Sequence, residues 1–350
     1  MNEILRRHAF SIAFLFILIG FLFLASDDGE IQQLSGFTMG TGYQFQLVDL
    51  PENITREQIS EAVNELLAEL DSGVFSTYSY DSELSRLNRH SINVPFITSA
   101  AMMDVLLMAQ DVSVLSGGAF DVTVGPLVNL WGFGPSMRGV DEELPSDAQI
   151  EEALTRVGFR NLRIDAVSSQ VVKAADIYID LSAIAKGYAV DRVGEYLDSI
   201  GVDSYFLEIG GELKMKGVKP GSESWVPAIE APLDAAPQVY EIIYSRGENI
   251  AVAGSGDYRN YFEQDGVRYS HEIDPRTGRP VTHNLAAAYV IDESAARADA
   301  LATAFMIMGL EAASELAERE SQAAYFIYRA SSSELADSIS AQFENYLGNQ

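Results

Sequence analysis

Not one cysteine occurs among the 350 residues of this chain. Disulfides, thiolate catalysis, iron–sulfur clusters, structural Cys-zinc sites and lipid attachment through an N-terminal Cys are excluded together. Whatever fold forms must be held by its apolar core alone. The composition allows one, with 47% apolar and 21% charged residues. Twenty-three basic residues face 51 acidic ones, a formal net charge of −28. Such a chain repels a phosphate backbone, so nucleic-acid binding is excluded as a main function.

The N-terminus reads as an address. Arg6, Arg7 and His8 precede an apolar run over residues 9–25 that only Ser11 and Gly20 interrupt. Seventeen helical residues span ~25 Å, enough to cross a bilayer with flanking anchors. The arginine pair holds the N-terminus inside, so the rest is expected to be exported. A small-x-small cleavage pattern fails at Phe23, which favours an uncleaved signal-anchor over a removed signal peptide for residues 1–25. The expected location is the extracytoplasmic face of the inner membrane, without lipidation.

Helical and strand patterns then alternate without repeats. Residues 26–35 read as a linker, 36–330 as the main domain and 331–350 as an acidic, serine-rich tail. Thr41–Val48 alternates Tyr43, Phe45 and Leu47 with polar neighbours, a half-buried strand. Thr55-x-x-Gln58 and Ser146-x-x-Gln149 are capping boxes opening helices, the second expected to close near Gly158. Helices are also expected over 99–116, stopped by Gly117-Gly118, and over 184–200, with a last stretch over 295–318 broken at Gly309. Strand patterns fall near residues 162–165, 171–173, 177–180, 205–209, 212–216, 225–229, 239–244 and 250–253. Helices dominate early and strands late, which favours α+β over a doubly wound sheet.

Familiar catalytic signatures are missing. No Gly-Lys pair supplies a P-loop, and no Gly-x-Gly-x-x-Gly follows a strand. Gly254-Ser255-Gly256 lacks the spacing of a nucleophile elbow, and the four histidines make no zinc cluster by spacing. Six glycine-rich or acidic clusters remain, and they suit one phosphorylated ligand. They are Met39-Gly40-Thr41-Gly42; Phe75-Ser76-Thr77-Tyr78; Ser116-Gly117-Gly118-Ala119-Phe120-Asp121; Asp180-Leu181-Ser182-Ala183 leading to Lys186; Ser255-Gly256-Asp257-Tyr258-Arg259; and Ser270-His271-Glu272-Ile273-Asp274-Pro275. Each has a plainer reading: Met39-Gly40 as a turn, Tyr78 as a core tyrosine, Gly117-Gly118 as a C-cap, Asp180 as a helix cap, His271 as a structural histidine. Asp299 and Thr303, at i and i+4, share one face of a small-residue helix. A carboxylate and a hydroxyl completed by carbonyl and phosphate oxygens suit Mg²⁺; Asp299 as a dipole partner near its helix start is the alternative.

The ordered set Met-Gly-Thr, Phe-Ser-x-Tyr, Ser-Gly-Gly-Ala-Phe-Asp-x-Thr-x-Gly-Pro-Leu, Asp-Leu-Ser-x-x-x-Lys-Gly-Tyr-x-x-Asp, Ser-Gly-Asp-Tyr-Arg, Ser-His-x-Ile-Asp-Pro-x-Thr-Gly-x-Pro and Ala-Asp-Ala-Leu-Ala-Thr-Ala resembles the FAD:protein FMN transferases, the ApbE family. The likeness runs from Met39 to about Gly309. It implies a single α+β domain of mostly antiparallel or mixed sheet with packed helices, using FAD as substrate and Mg²⁺ as cofactor. The activity it implies leaves FMN on a Thr or Ser of an acceptor flavoprotein, such as a subunit of a sodium-pumping or Rnf-type redox complex. Family flavin positions match Met39, Tyr78, Ala119, Phe120, Asp121, Asp180, Lys186 and Ile273. Magnesium positions match Ala183, through its carbonyl, with Asp299 and Thr303. Many relatives are lipoproteins, from which this chain departs by having no cysteine.

Residue chemistry and resemblance point to one mechanism. Lys186 and Arg259 are candidates for positive charge beside a pyrophosphate, and His271 is the candidate base for the acceptor hydroxyl, with Asp257 and Asp274 next. Three alternatives stand beside it: a Mg²⁺-dependent FAD pyrophosphatase, a non-catalytic exported flavin-binding protein, and a structural protein whose glycines only make turns.

Overall fold

The computed structural model describes residues 30–134, 143–233, 236–258, 260–264, 267–331 and 334–348. The apolar segment expected to be an anchor lies outside the described residues, as does Arg259. Among the described residues no helix is long and apolar enough to cross a membrane.

Eight strands form one antiparallel sheet whose spatial order follows the chain: β1 (Ile31–Thr38), β2 (Thr41–Val48), β3 (Ser204–Ile209), β4 (Glu212–Lys216), β5 (Ile250–Gly256), β6 (Leu285–Asp292), β7 (Ala323–Ser331) and β8 (Glu334–Ile339). Two-residue turns join β1 to β2 at Met39-Gly40 and β3 to β4 at Gly210-Gly211. All four turn residues have positive φ, the twist a tight hairpin needs. Period-two alternation sorts the strands into two buried faces. Phe45, Leu207, Ala253 and Val290 face the helices, while Met215, Val252, Ile291 and Tyr325 face a second cluster containing Trp225 and Phe343.

Five principal helices cover the first face or flank it: α1 (Arg56–Ala68), α2 (Glu83–Arg89), α3 (Ala100–Leu115), and the pair α4 (Ala185–Ser199) and α5 (Ala295–Met308). Both capping boxes form as read from sequence. α5 is built almost wholly from small and apolar residues and is buried nearly all round. Its contact with α4 is made at Gly187, where a Cβ would lie only 2.3 Å from the carbonyl oxygen of Ala295. One turn further along α4, the Asp191 carboxylate accepts hydrogen bonds from Ala295 N and Ala296 N at 2.9 and 3.0 Å, and from Lys214 Nζ at 2.8 Å. Orphan N–H groups at the start of α5 are thereby satisfied by a neighbouring helix.

Several expectations differ from this arrangement. Residues 31–35, read as linker, already belong to β1. The segment read as an acidic, serine-rich tail supplies edge strand β8 and buries Phe343 completely. The helix opened by Ser146 is Asp147–Leu154 and stops well short of Gly158. Residues 177–180 make only a single bridge, Val124 to Tyr178, although Ile177 and Ile179 are buried as the alternation requires. Residues 225–229 yield only the short strand Ala228–Glu230.

Candidate functional site

The cleft of interest opens where α5, the approach to α4, and the loop following α3 meet. Its lining includes Phe120, Asp121, Asp180, Ala183, Ile273 and Thr303, six of the residues singled out in sequence. Ser182, Pro275 and Ile307 join them. Ala119 is fully buried next to this lining.

Local chemistry explains each placement. Gly117 and Gly118, both with positive φ, end α3; the amide of Gly118 donates to the Ser113 carbonyl at 2.8 Å. That turn delivers Phe120 and Asp121. Burial raises the Asp121 carboxyl above its ordinary value, countered by hydrogen bonds from Thr123 and Phe159 N. Those bonds are short: Thr123 Oγ1 at 2.6 Å, Thr123 N at 2.8 Å and Phe159 N at 2.8 Å. Asp121 therefore braces the loop. Asp180 is pinned by its own amide, which donates to the Val122 carbonyl at 2.7 Å, and its Oδ1 accepts from Ser182 N at 2.9 Å.

Met39 and Tyr78 are connected to each other through Asp71. The Met39 amide donates to Asp71 Oδ2 at 3.0 Å, and Asp71 belongs to a π-helical segment, Glu69–Phe75, that feeds into Ser76. Ser76 Oγ accepts from the amides of Tyr78 and Ser79, both at 3.2 Å. Tyr78 itself is 80% exposed, so it is not a core tyrosine. It stands close enough to Tyr178 to help raise that phenol, after burial and Asp180.

Asp299 lies one turn before Thr303 on α5, past the helix's first turn and 5% exposed. A role as dipole partner at the helix start does not fit that position. Its Oδ2 accepts from Gly187 N at 3.3 Å and lies 3.9 Å from Lys186 Nζ. Lys186 is bound more closely by Glu212, with Nζ 2.7 Å from Oε1. Burial alone lowers the Lys186 ammonium, but the carboxylates of Asp299 and Glu212 outweigh it and hold it above the ordinary lysine range. Burial raises both carboxyls in turn, and the Lys186 ammonium opposes that rise. Thr303 Oγ1 pairs with Ser255 Oγ of β5 at 3.1 Å.

His271 does not line the cleft; it precedes Ile273 by two residues. Its Nδ1 lies 3.0 Å from the carbonyl of Asn260. A carbonyl only accepts, so Nδ1 carries the proton and neutral His271 presents a basic Nε2. Nε2 lies 3.6 Å from Glu272 Oε1, and burial raises the Glu272 carboxyl. The turn that follows is tied down by Trp131 Nε1, which donates to Gly278 O at 2.8 Å. The two other candidate bases are occupied: Arg329 grips Asp257 at 2.7 and 2.9 Å, and Arg276 grips Asp274 at 2.8 and 2.9 Å.

The residues suit a hard divalent cation. Two buried carboxylates, Glu212 and Asp299, share the half-buried ammonium of Lys186, and a third buried carboxyl, Glu272, is raised further by Asp299. Among the described residues Glu212 Oε2 is buried without a hydrogen-bond partner. The oxygens of Asp299 and Thr303, with the Ala183 carbonyl, are hard donors matching Mg²⁺ chemistry. Among the described residues no group of three His, Cys, Asp or Glu forms a metal cluster. Such a site leaves coordination positions for water and phosphate, as Mg²⁺ usually does.

Sequence reading missed Glu212, and it quoted Ser255, Glu272 and Asp191 inside motifs without giving them a role. For Glu212 the available signal was the Gly210-Gly211 pair before it, which fixes the hairpin that aims this side chain.

Comparison with known proteins places this fold and cleft among the flavin transferases. The ApbE family model matches residues 39–327, and the chain belongs to the ApbE family. A protein of Vibrio cholerae named FAD:protein FMN transferase is 43% identical over 303 residues, covering 86% of this chain and 89% of that one. The Escherichia coli protein of the same name is 36% identical over 323 residues, covering 91% and 90%. Among solved structures, the flavin transferase ApbE of Vibrio cholerae superposes with a TM-score of 0.83 at 39% identity, covering 91% of this chain and all of that one. The apo flavinyl transferase ApbE of Pseudomonas stutzeri gives a TM-score of 0.83 at 38% identity, covering 93% of this chain and all of that one.

Proposed function

We propose that this chain is a Mg²⁺-dependent FAD:protein FMN transferase that moves FMN from FAD to a threonine (or serine) hydroxyl of an exported acceptor protein and releases AMP. The observation that carries the reading is the convergence, in an ApbE-family chain, of Thr303 with Ala183, Asp180 and Ile273 at one cleft, with Asp299 buried one turn before Thr303 on the same helix. The N-terminal apolar run supports action on the extracytoplasmic side, against acceptors such as subunits of sodium-pumping or Rnf-type redox complexes.

In this reading Met39, Tyr78, Ala119, Phe120, Asp121, Asp180, Lys186 and Ile273 hold the flavin half of FAD. Asp299, Thr303 and the Ala183 carbonyl hold Mg²⁺, which when bound supplies neutralisation of pyrophosphate charge. The acceptor Oγ attacks the phosphorus on the FMN side, a new P–O ester forms, and the pyrophosphate P–O bond breaks to AMP. His271 Nε2, 3.6 Å from Glu272 Oε1, receives the hydroxyl proton. Fixing the tautomer through the Asn260 carbonyl keeps Nε2 available for that proton.

The test is incubation of the chain with FAD, Mg²⁺ and a candidate acceptor, followed by fluorescence on a denaturing gel. Covalent flavin on the acceptor with stoichiometric AMP is the expected result. AMP and free FMN without labelled protein, using an acceptor that a relative does label, assigns the chain as a pyrophosphatase instead.

A further inference from the structure

We propose that Glu212 is the counter-ion that holds the Lys186 ammonium away from Asp299, leaving the Asp299 carboxylate open for a divalent cation. The inference rests on the Mg²⁺ reading above and assigns a positioning residue to it.

The geometry is unequal. Lys186 Nζ is 2.7 Å from Glu212 Oε1 but 3.9 Å from Asp299 Oδ2. Both carboxylates are equally buried, at 6% side-chain exposure, so neither has a solvation advantage. Lys186 and Asp299 come from adjacent packed helices, and left to themselves they would close the gap of roughly 1 Å to a direct ion pair. A lysine seated on Asp299 would cancel the charge that attracts the cation and occupy its space. Glu212 prevents this from an independent element. It begins β4 directly after the Gly210-Gly211 turn, and its pairing with Ile209 fixes its backbone regardless of how α4 and α5 sit. Glu212 Oε1 takes the ammonium while Oε2 makes no hydrogen bond among the described residues, so this side chain has no other evident task there.

Charge accounting shows why the device matters. Lys186, Glu212 and Asp299 together carry −1 when all are ionised. Glu212→Gln leaves a neutral Lys186–Asp299 pair. Lys186→Met with Glu212→Gln returns the set to −1, now carried by Asp299 alone. A buried unit charge this close to a cation is worth far more than a surface pair.

The experiment measures Mn²⁺ binding to the FAD-free protein by the electron-paramagnetic-resonance signal of free Mn²⁺, with folding followed by circular dichroism. Glu212→Gln is expected to weaken Mn²⁺ about tenfold or more. Lys186→Met should bind more tightly than wild type, and the double variant should return to within a few-fold of wild type. Unchanged binding in Glu212→Gln, or a double variant as weak as that single one, overturns the proposal while leaving the cation site standing. Should Glu212→Gln fail to fold, Lys186→Met still decides: equal or weaker binding overturns the proposal. Wild-type protein that binds no Mn²⁺, or Asp299→Ala that binds it as well as wild type, overturns the cation reading and this proposal with it.

Discussion

Replacing Gly187 by alanine adds one methyl group at the tightest contact between α4 and α5. On an open helix the change would stabilise by about 1 kcal/mol, because glycine loses more backbone freedom on folding. Here the new Cβ would lie 2.3 Å from Ala295 O, 2.6 Å from Ala295 C and 2.7 Å from the Cα of Ala296. Those are backbone atoms and cannot rotate away, so α5 must retreat by roughly 1 Å at its first turn. Overpacking of this kind costs about 1–3 kcal/mol. The retreat also stretches the two hydrogen bonds from Ala295 N and Ala296 N to Asp191, and bonds to a charged group contribute about 1.5–3 kcal/mol each. Allowing for partial loss and the propensity gain, the net destabilisation is about 2–4 kcal/mol. It should lower the calorimetric melting temperature by several degrees. Asp299 and Thr303 ride on the displaced helix while Ala183 precedes the other, so the Mg²⁺ midpoint for flavin transfer should rise in the same variant. Gly73→Ala is the control, since a Cβ there meets nothing nearer than 3.9 Å. A Gly187→Ala protein that melts at or above wild type, with an unchanged Mg²⁺ midpoint, refutes the close-contact argument.

Tyr78→Ala should weaken FAD binding about 3–10-fold, the range of a lost aromatic stack worth ~0.5–1.5 kcal/mol, with an unchanged melting temperature. A fall in stability without a binding defect would give that exposed ring a structural role. His271→Ala should cut turnover by roughly 10²–10⁴-fold while leaving the Mg²⁺ midpoint alone; a shifted midpoint moves His271 into the metal or phosphate environment. Burial raises the carboxyls of Asp121, Glu208, Glu212, Glu272 and Asp299. The folded chain thus binds more protons than the unfolded chain above the ordinary carboxyl range, and its metal-free stability should fall as pH rises through that window. Each extra bound proton contributes up to about 1.4 kcal/mol per pH unit. Lys186, raised by its carboxylates, adds stability that is constant below about pH 10. Melting curves with EDTA and with Mg²⁺ test the sign, and a metal-free melting temperature that climbs from pH 5 to 8 contradicts it.

Elements with one clean face were legible before the structure. β2 alternates Tyr43, Phe45 and Leu47 inward, and the capping boxes at Thr55 and Ser146 mark their helices because the cap is a local bond. Two of the missed strands, β6 and β7, have their pattern erased by burial on both faces. β6 reads Leu-Ala-Ala-Ala-Tyr-Val-Ile-Asp, a composition closer to helix than strand, and β7 opens with an unbroken apolar run. Packing between helices and a second core, rather than propensity, makes them strands. β8 was hidden for the opposite reason. As an edge strand it is only partly buried, and its serine and acidic residues resemble a solvated tail.

The candidate site divides along a similar line. Residues whose placement depends on a local turn were readable: Phe120 and Asp121 after the Gly117-Gly118 helix stop, Asp180 before α4, Asp299 and Thr303 at helical spacing. Residues whose role lies in a partner far along the chain were not. Glu212 meets Lys186 across 26 positions, Ser255 meets Thr303 across 48, and Asp191 meets α5 across more than 100. In a chain with 51 acidic residues, nothing in the sequence separates the few carboxylates that lose water from the many that keep it. Burial makes that separation. A carboxylate in solvent needs no partner, whereas Asp299 and Glu212 inside the α4–α5–β4 junction must find positive charge there, and Lys186 cannot satisfy both. The surplus negative charge at that junction destabilises the metal-free fold. In the proposed function the same surplus would hold a divalent cation, and through it a pyrophosphate that a strongly acidic chain alone would repel.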